Sequence, residues 1–98
     1  MLGVTQSKVI SHGDKLLKEC AEDAGVGNTF HLNDVGIYFG EPGKTVSDPY
    51  FNGKGPERTG CILCGGCMVG CRHGAKNTLD LNYLYLAEQL GLEVIPET

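Results

Sequence analysis

Apolar residues recur at helical spacing in two parts of the chain and cluster into short strand-like runs in three others. After Ser11, the residues Leu16, Leu17, Cys20, Ala21 and Ala24 fall on one face of a helical wheel. Lys15, Lys18, Glu19, Glu22 and Asp23 lie elsewhere on it. Ser11 with Asp14 three positions on has the form of a capping box, and Gly25 suits the position just past a helix end. The pattern predicts a helix over 12–24. Its apolar face is shallow, because alanine and cysteine bury little area, and Cys20 on that face reads as a small core residue.

The second helical pattern starts at Asn77 or Thr78. Leu79, Tyr83, Leu86, Ala87 and Leu90 share a face that Leu81, Leu84 and Tyr85 widen, and Gly91 stops it. A helix apolar over so much of its circumference is expected to be covered on more than one side. Leu92 to Ile95 then reads as a strand ending at Pro96. Thr29 to Leu32 gives a weak strand signal and Val35 to Phe39 a stronger one, rich in β-branched and aromatic residues. His31 lies in the weaker run with no carboxylate pair or second histidine at a useful spacing, so it reads as a half-exposed strand residue.

Between Gly40 and Gly60, glycine or proline recurs every few residues. Glu41-Pro42-Gly43, Asn52-Gly53 and Gly55-Pro56 are turn signals. Gly43-Lys44-Thr45 resembles the end of a phosphate loop, but the first glycine of G-x-x-x-x-G-K-[ST] is misplaced. That reading is discarded. A long loop of this composition is expected to line a site or a partner, with Tyr50 and Phe51 docking it.

Ninety-eight residues make one small domain, which buries only about 60–65% of its extended surface. Fifteen glycines and four prolines stand against four tyrosines, three phenylalanines and no tryptophan. The elements predict a small irregular α+β domain with two helices, a few short strands and a long Gly/Pro-rich loop. The over-apolar second helix and the unpaired terminal strand suggest an incomplete piece, completed by further polypeptide or by a homo-oligomer. A net charge of −4 without a basic block argues against nucleic-acid binding. No apolar run approaches the ~20 residues of a membrane span. No leader-like segment opens the chain, so a cytoplasmic, reducing setting is expected.

The chemistry-bearing stretch is the loop from Gly60 to Thr78. Cys61, Cys64, Cys67 and Cys71 follow the spacing C-x2-C-x2-C-x3-C, with glycines at 60, 65, 66, 70 and 74. Three readings compete. Such runs are the ferredoxin-type arrangement for an iron–sulfur cluster, although Arg72 stands where proline usually follows the fourth cysteine. A single cluster would take all four thiols, or three with Cys20 as remote ligand. Structural zinc usually pairs two separated knuckles, and a second is missing. The third reading is thiols without metal, where five cysteines cannot all pair within one chain. Arg72 and Lys76 are either counter-charges to clustered thiolates or ordinary solvated cations.

The stretch Gly74-Ala75-Lys76-Asn77-Thr78-Leu79-Asp80-Leu81-Asn82-Tyr83-Leu84-Tyr85-Leu86-Ala87-Glu88 resembles an interior segment of the glucose–methanol–choline (GMC) flavoprotein oxidoreductases. So do Gly91 to Thr98, Pro49-Tyr50-Phe51, Gly55 to Gly60 and the cysteine run. The bacterial cholesterol-oxidase-like branch is the nearest in pattern. The resemblance implies a larger α/β flavoprotein that binds FAD and oxidises alcohols or sterols. Residues 1–59 would belong to its substrate domain and 60–77 to the Cys/Gly loop, while 78–98 would return to the flavin domain. An iron–sulfur cluster in the loop would relay single electrons from the flavin. The family's G-x-G-x-x-G fingerprint and catalytic-histidine region are absent, and His12, His31 and His73 match no motif, so no catalytic or FAD-contacting residue is assigned. Two rivals stand beside this reading: a small self-contained iron–sulfur or thiol electron-transfer protein, and a non-catalytic oligomeric binding module.

Overall fold

A computed structural model describes residues 3–97. They form a small α+β arrangement of two α-helices and two antiparallel strand pairs, divided into two compact units.

The first unit is Thr5–Val35. Strand β1 (Thr5–Gln6) pairs antiparallel with β2 (Asp34–Val35), Thr5 opposite Val35, and Ser7 N–H to Asn33 O extends the ladder at 3.0 Å. Helix α1 (His12–Asp23) lies between them in sequence. Its capping box forms as expected. Asp14 N–H donates to Ser11 Oγ at 3.2 Å, and Ser11 N–H returns to Asp14 Oδ2 at 2.7 Å. At the other end Gly25 takes φ 75°, while Gly25 N–H bonds Glu22 O and Val26 N–H bonds Ala21 O. That pairing is the Schellman motif, which satisfies carbonyls the helix leaves over. One expectation for α1 fails: Cys20 is exposed, and no residue of the helix is buried. A unit of this size has too few elements to cover a helix face, so Leu16 and Leu17 stay exposed too. The weak strand signal at Thr29 to Leu32 also gives way, to a 3-10 turn at Gly27–Thr29 followed by irregular chain. His31 is exposed, and its Nδ1 lies 3.0 Å from Thr29 O.

The second unit joins residues 3–4 to 36–97. Strand β3 (Thr45–Val46) pairs antiparallel with β4 (Arg58–Thr59), and Thr45 and Thr59 share a hydroxyl hydrogen bond of 2.8 Å. The Gly/Pro-rich stretch is therefore a hairpin-like excursion, not a structureless loop. Asp48 holds its tip. The carboxylate accepts from the backbone N–H of Tyr50 (2.9 Å), Phe51 (2.8 Å), Gly53 (3.2 Å) and Gly55 (3.0 Å). Burial raises the Asp48 pKa, but these four donors outweigh it and hold the group below its ordinary value. Tyr50 packs edge-on to Tyr38, with centroids 6.1 Å apart, as expected for a docking aromatic.

Backbone bonds lace three more segments together: Tyr38 N–H to Ala75 O, Asn77 N–H to Gly36 O, and Cys61 N–H to Tyr38 O. Gly60 sits where they cross. A Cβ there would lie 2.1 Å from Glu41 O, so only glycine permits the approach.

The predicted long second helix is broken. A 3-10 turn (Leu79–Leu81) precedes helix α2 (Tyr83–Gln89), and Asn82 between them has φ −128° and ψ −113°. Its side chain is fully buried and donates to Asn77 Oδ1, so anchoring a polar group overrides helical propensity. Gly91 ends α2 at φ 97°. The predicted strand at Leu92 to Ile95 is not formed, and these residues are largely exposed. A strand is stable only when a second strand pairs along its backbone, and Leu92 N–H instead closes back on Ala87 O of the preceding helix at 3.0 Å.

Candidate functional site

The cysteine loop rises from this laced base. Its backbone turns where the sequence placed glycine: Gly65 (φ 73°), Gly70 (φ 105°) and Gly74 (φ 73°), with Leu63 forced to φ 60°. Between Gly65 and Gly70 a 3-10 turn, Gly66–Val69, carries Met68 and Val69 at the tip, 96% and 91% exposed. Lys76 Nζ reaches back 2.8 Å to Cys67 O and pins that turn. The Lys76 ammonium is thus committed to a carbonyl, and Arg72 is exposed.

All five cysteines are free thiols. Cys61, Cys67 and Cys71 are half-buried and Cys64 is exposed, while Cys20 belongs to the other unit. Among the described residues, no three cysteine, histidine or carboxylate side chains are gathered as a metal ion requires. Backbone amides engage two of the sulfurs separately. Leu63 N–H points at Cys61 Sγ across 3.4 Å. Burial pushes the Cys71 thiol up, yet the backbone N–H groups of Lys76, Ala75, His73 and Gly74 outweigh it and bring the pKa below 9.0. Such a nest of amides is built to carry negative charge. As folded, the loop does not gather its thiols around one centre, and two of them, Cys61 and Cys71, meet separate backbone amides instead.

Beneath the loop, the best-buried side chains are polar. Arg58 is 1% exposed and its Nη2 donates to Asn77 Oδ1 at 2.7 Å and to Leu81 O. The guanidinium lies 5.7 Å from the Tyr50 ring centroid. Its Nε and Nη1, with Asn82 Oδ1, are buried without a partner. Ala75 is the lone buried hydrophobic residue among those described. A domain is ordinarily stabilised by an apolar centre, and this one is organised around a cation and two amides.

Sequence reasoning missed Asp48, Arg58, Asn77 and Asn82 as organisers. The Asp-Pro start of the Asp48 turn was a usable signal. Arg58 and Asn82 had none, because nothing local distinguishes a buried arginine or asparagine from a surface one.

The Ser11–Asp14 box occupies the first turn of α1 and sets a carboxylate where a phosphate would lie. The unpartnered Arg58 nitrogens are sealed within the fold. No helix among the described residues is long and apolar enough to cross a membrane.

No protein-family model and no solved structure matches the chain. Curated proteins do. The chain is 55% identical over 103 aligned residues to cholesterol oxidase of Mycobacterium tuberculosis (strain H37Rv), and to that of strain CDC 1551 at the same level. It is 54% identical over 102 residues to cholesterol oxidase of Acinetobacter baumannii. Each alignment takes in all of this chain and 18% of the relative. Along its whole length the chain is therefore similar to one segment of cholesterol oxidases, and spans less than a fifth of them.

Proposed function

We propose that these residues form one segment of an FAD-dependent oxidoreductase of the GMC type that oxidises a sterol or a related alcohol to the carbonyl. The observation that carries this reading is the end-to-end identity of 55% with cholesterol oxidases, matched to 18% of their length. The polar centre supports it. Arg58, Asn77 and Asn82 fix the backbone of 36–82 with little apolar burial, leaving Leu84, Leu90, Leu92 and Val94 exposed for neighbours that longer sequence would supply.

In this reading the flavin supplies the hydride chemistry when bound, and its contacts come from sequence beyond these residues. The role of this segment is structural: the hairpin, the Asp48 turn and the loop base present a fixed surface. The spacing of Cys61, Cys64, Cys67 and Cys71 supports them as the ligand set of an iron–sulfur cluster. Binding one would require the loop to leave its present backbone partners.

The test is expression of the whole reading frame that carries this chain. The purified protein should show a flavin spectrum that bleaches when a sterol is added without oxygen. A flavin-free protein, or a flavin that neither sterols nor simple alcohols reduce, refutes the proposal. Iron and inorganic-sulfide analysis of the same anaerobic preparation decides the cluster independently, since a metal-free, sulfide-free protein removes it without touching the flavin reading.

A further inference from the structure

Five asparagines occur in the sequence, at 28, 33, 52, 77 and 82, and only Asn52 is followed by glycine. Asn52 is exposed and holds φ 55°, in the left-handed region that asparagine tolerates better than most residues. Gly53 follows at φ 82°, exposed and with open space where a Cβ would stand. Its N–H donates to Asp48 Oδ2 at 3.2 Å, the longest of the four bonds that carboxylate accepts.

We propose that Asn52–Gly53 is a self-modifying site, a succinimide-forming pair whose rate Asp48 restrains. The backbone nitrogen of Gly53, after losing its proton to a base in solvent, attacks Asn52 Cγ. The N–Cγ bond forms, the Cγ–Nδ2 bond breaks, and ammonia leaves with a proton from solvent. Water then adds to one of the two imide carbonyls and opens the ring to aspartate or isoaspartate, with no change of oxidation state.

Asp48 acts on the first step. A carboxylate accepting the Gly53 N–H stabilises its protonated form and places a negative charge beside the anion that must develop. The same bond, with those to Phe51 and Gly55, holds the turn in one conformation. Both effects slow cyclisation. Once it occurs, residue 52 gains a negative charge near Asp48, and isoaspartate lengthens the backbone by one carbon. The turn that docks Tyr50 against Tyr38 and Arg58 then loosens. The device is a slow, irreversible clock on the hairpin tip, and it stands independently of the flavoprotein reading.

The test incubates the purified protein and its Asp48→Asn variant at mildly alkaline pH, with peptide mapping for isoaspartate and isoelectric focusing for the added charge. Native Asp48→Asn should convert at residue 52 roughly threefold to tenfold faster, as expected when a charged acceptor is replaced by a neutral amide oxygen that holds the N–H more weakly. In strong denaturant the two rates should coincide, because the restraint exists only in the fold. Gly53→Ala, whose methyl hinders the attacking nitrogen, should suppress conversion in denaturant, where its backbone strain is irrelevant. The proposal is overturned if residue 52 stays unmodified under conditions that modify the denatured chain and Asp48→Asn does not accelerate it. Equal native and denatured rates in the wild type overturn it as well, since Asp48 would then restrain nothing.

Discussion

Removing the Asp48 carboxylate should cost this fold more than an acidic loop residue usually does. The substitution Asp48→Ala strips the acceptor from four backbone amides. Those of Tyr50, Phe51 and Gly55 are partly buried and not readily rescued by water, whereas Gly53 N–H is exposed and is readily rescued. At somewhat under 1 kcal/mol for each partly buried donor, the loss is about 2–3 kcal/mol. The charge itself adds little, because solvent screens a half-exposed carboxylate. Asp48→Asn keeps one acceptor oxygen and should lose about half as much. Urea unfolding followed by circular dichroism measures both, and a loss under about 0.5 kcal/mol for Asp48→Ala refutes the account. The pH dependence provides a second check. The folded pKa of Asp48 lies below its ordinary 3.8, so its contribution is complete above that value and disappears as pH falls through the folded one. The difference between wild type and Asp48→Ala should therefore be constant at neutral pH and shrink below about pH 4. A difference that grows on acidification has the wrong sign for this mechanism.

Four further outcomes follow from the structure. Gly60→Ala should destabilise by about 2–3 kcal/mol, because its Cβ would meet the Glu41 carbonyl and the crossing backbones must part; a near-neutral change in the urea midpoint contradicts the close approach. Arg58→Met should be nearly neutral, within about 1 kcal/mol, since it removes a buried cation with two unpartnered nitrogens. Asn77→Ala should cost more than Arg58→Met, because it leaves that cation in place without one of its acceptors, and the reverse ranking in the same unfolding assay would show the cluster misread. Alkylation of Cys71, followed by peptide mass spectrometry, should have a pH midpoint below 9.0, reflecting the thiolate stabilised by amides; a midpoint at or above that value argues against the nest.

The sequence by itself determined the features whose causes are local. Ser11, Asp14 and Gly25 contain the whole reason for the beginning and end of α1, since capping and a left-handed C′ residue need only a few neighbours along the chain. The glycines at 65, 70 and 74 likewise announced where the cysteine loop turns, and the small α+β class followed from short, mixed elements. Tertiary structure decided the rest. Asn82 broke a helix that periodicity wrote as continuous, because a buried amide must find partners and Asn77 supplied one across space. The predicted strand at Leu92 to Ile95 stayed unformed because strand pairing depends on a neighbour, not on the strand's own residues. The spacing of four cysteines said that thiols were close in sequence, and it could not say which way each would face. Facing is set by how the backbone folds around them, and that fold turns the Cys61 and Cys71 sulfurs toward separate amides. The centre of the second unit was the least legible of all, since burial of Arg58 comes from chain segments far apart in sequence meeting over one guanidinium.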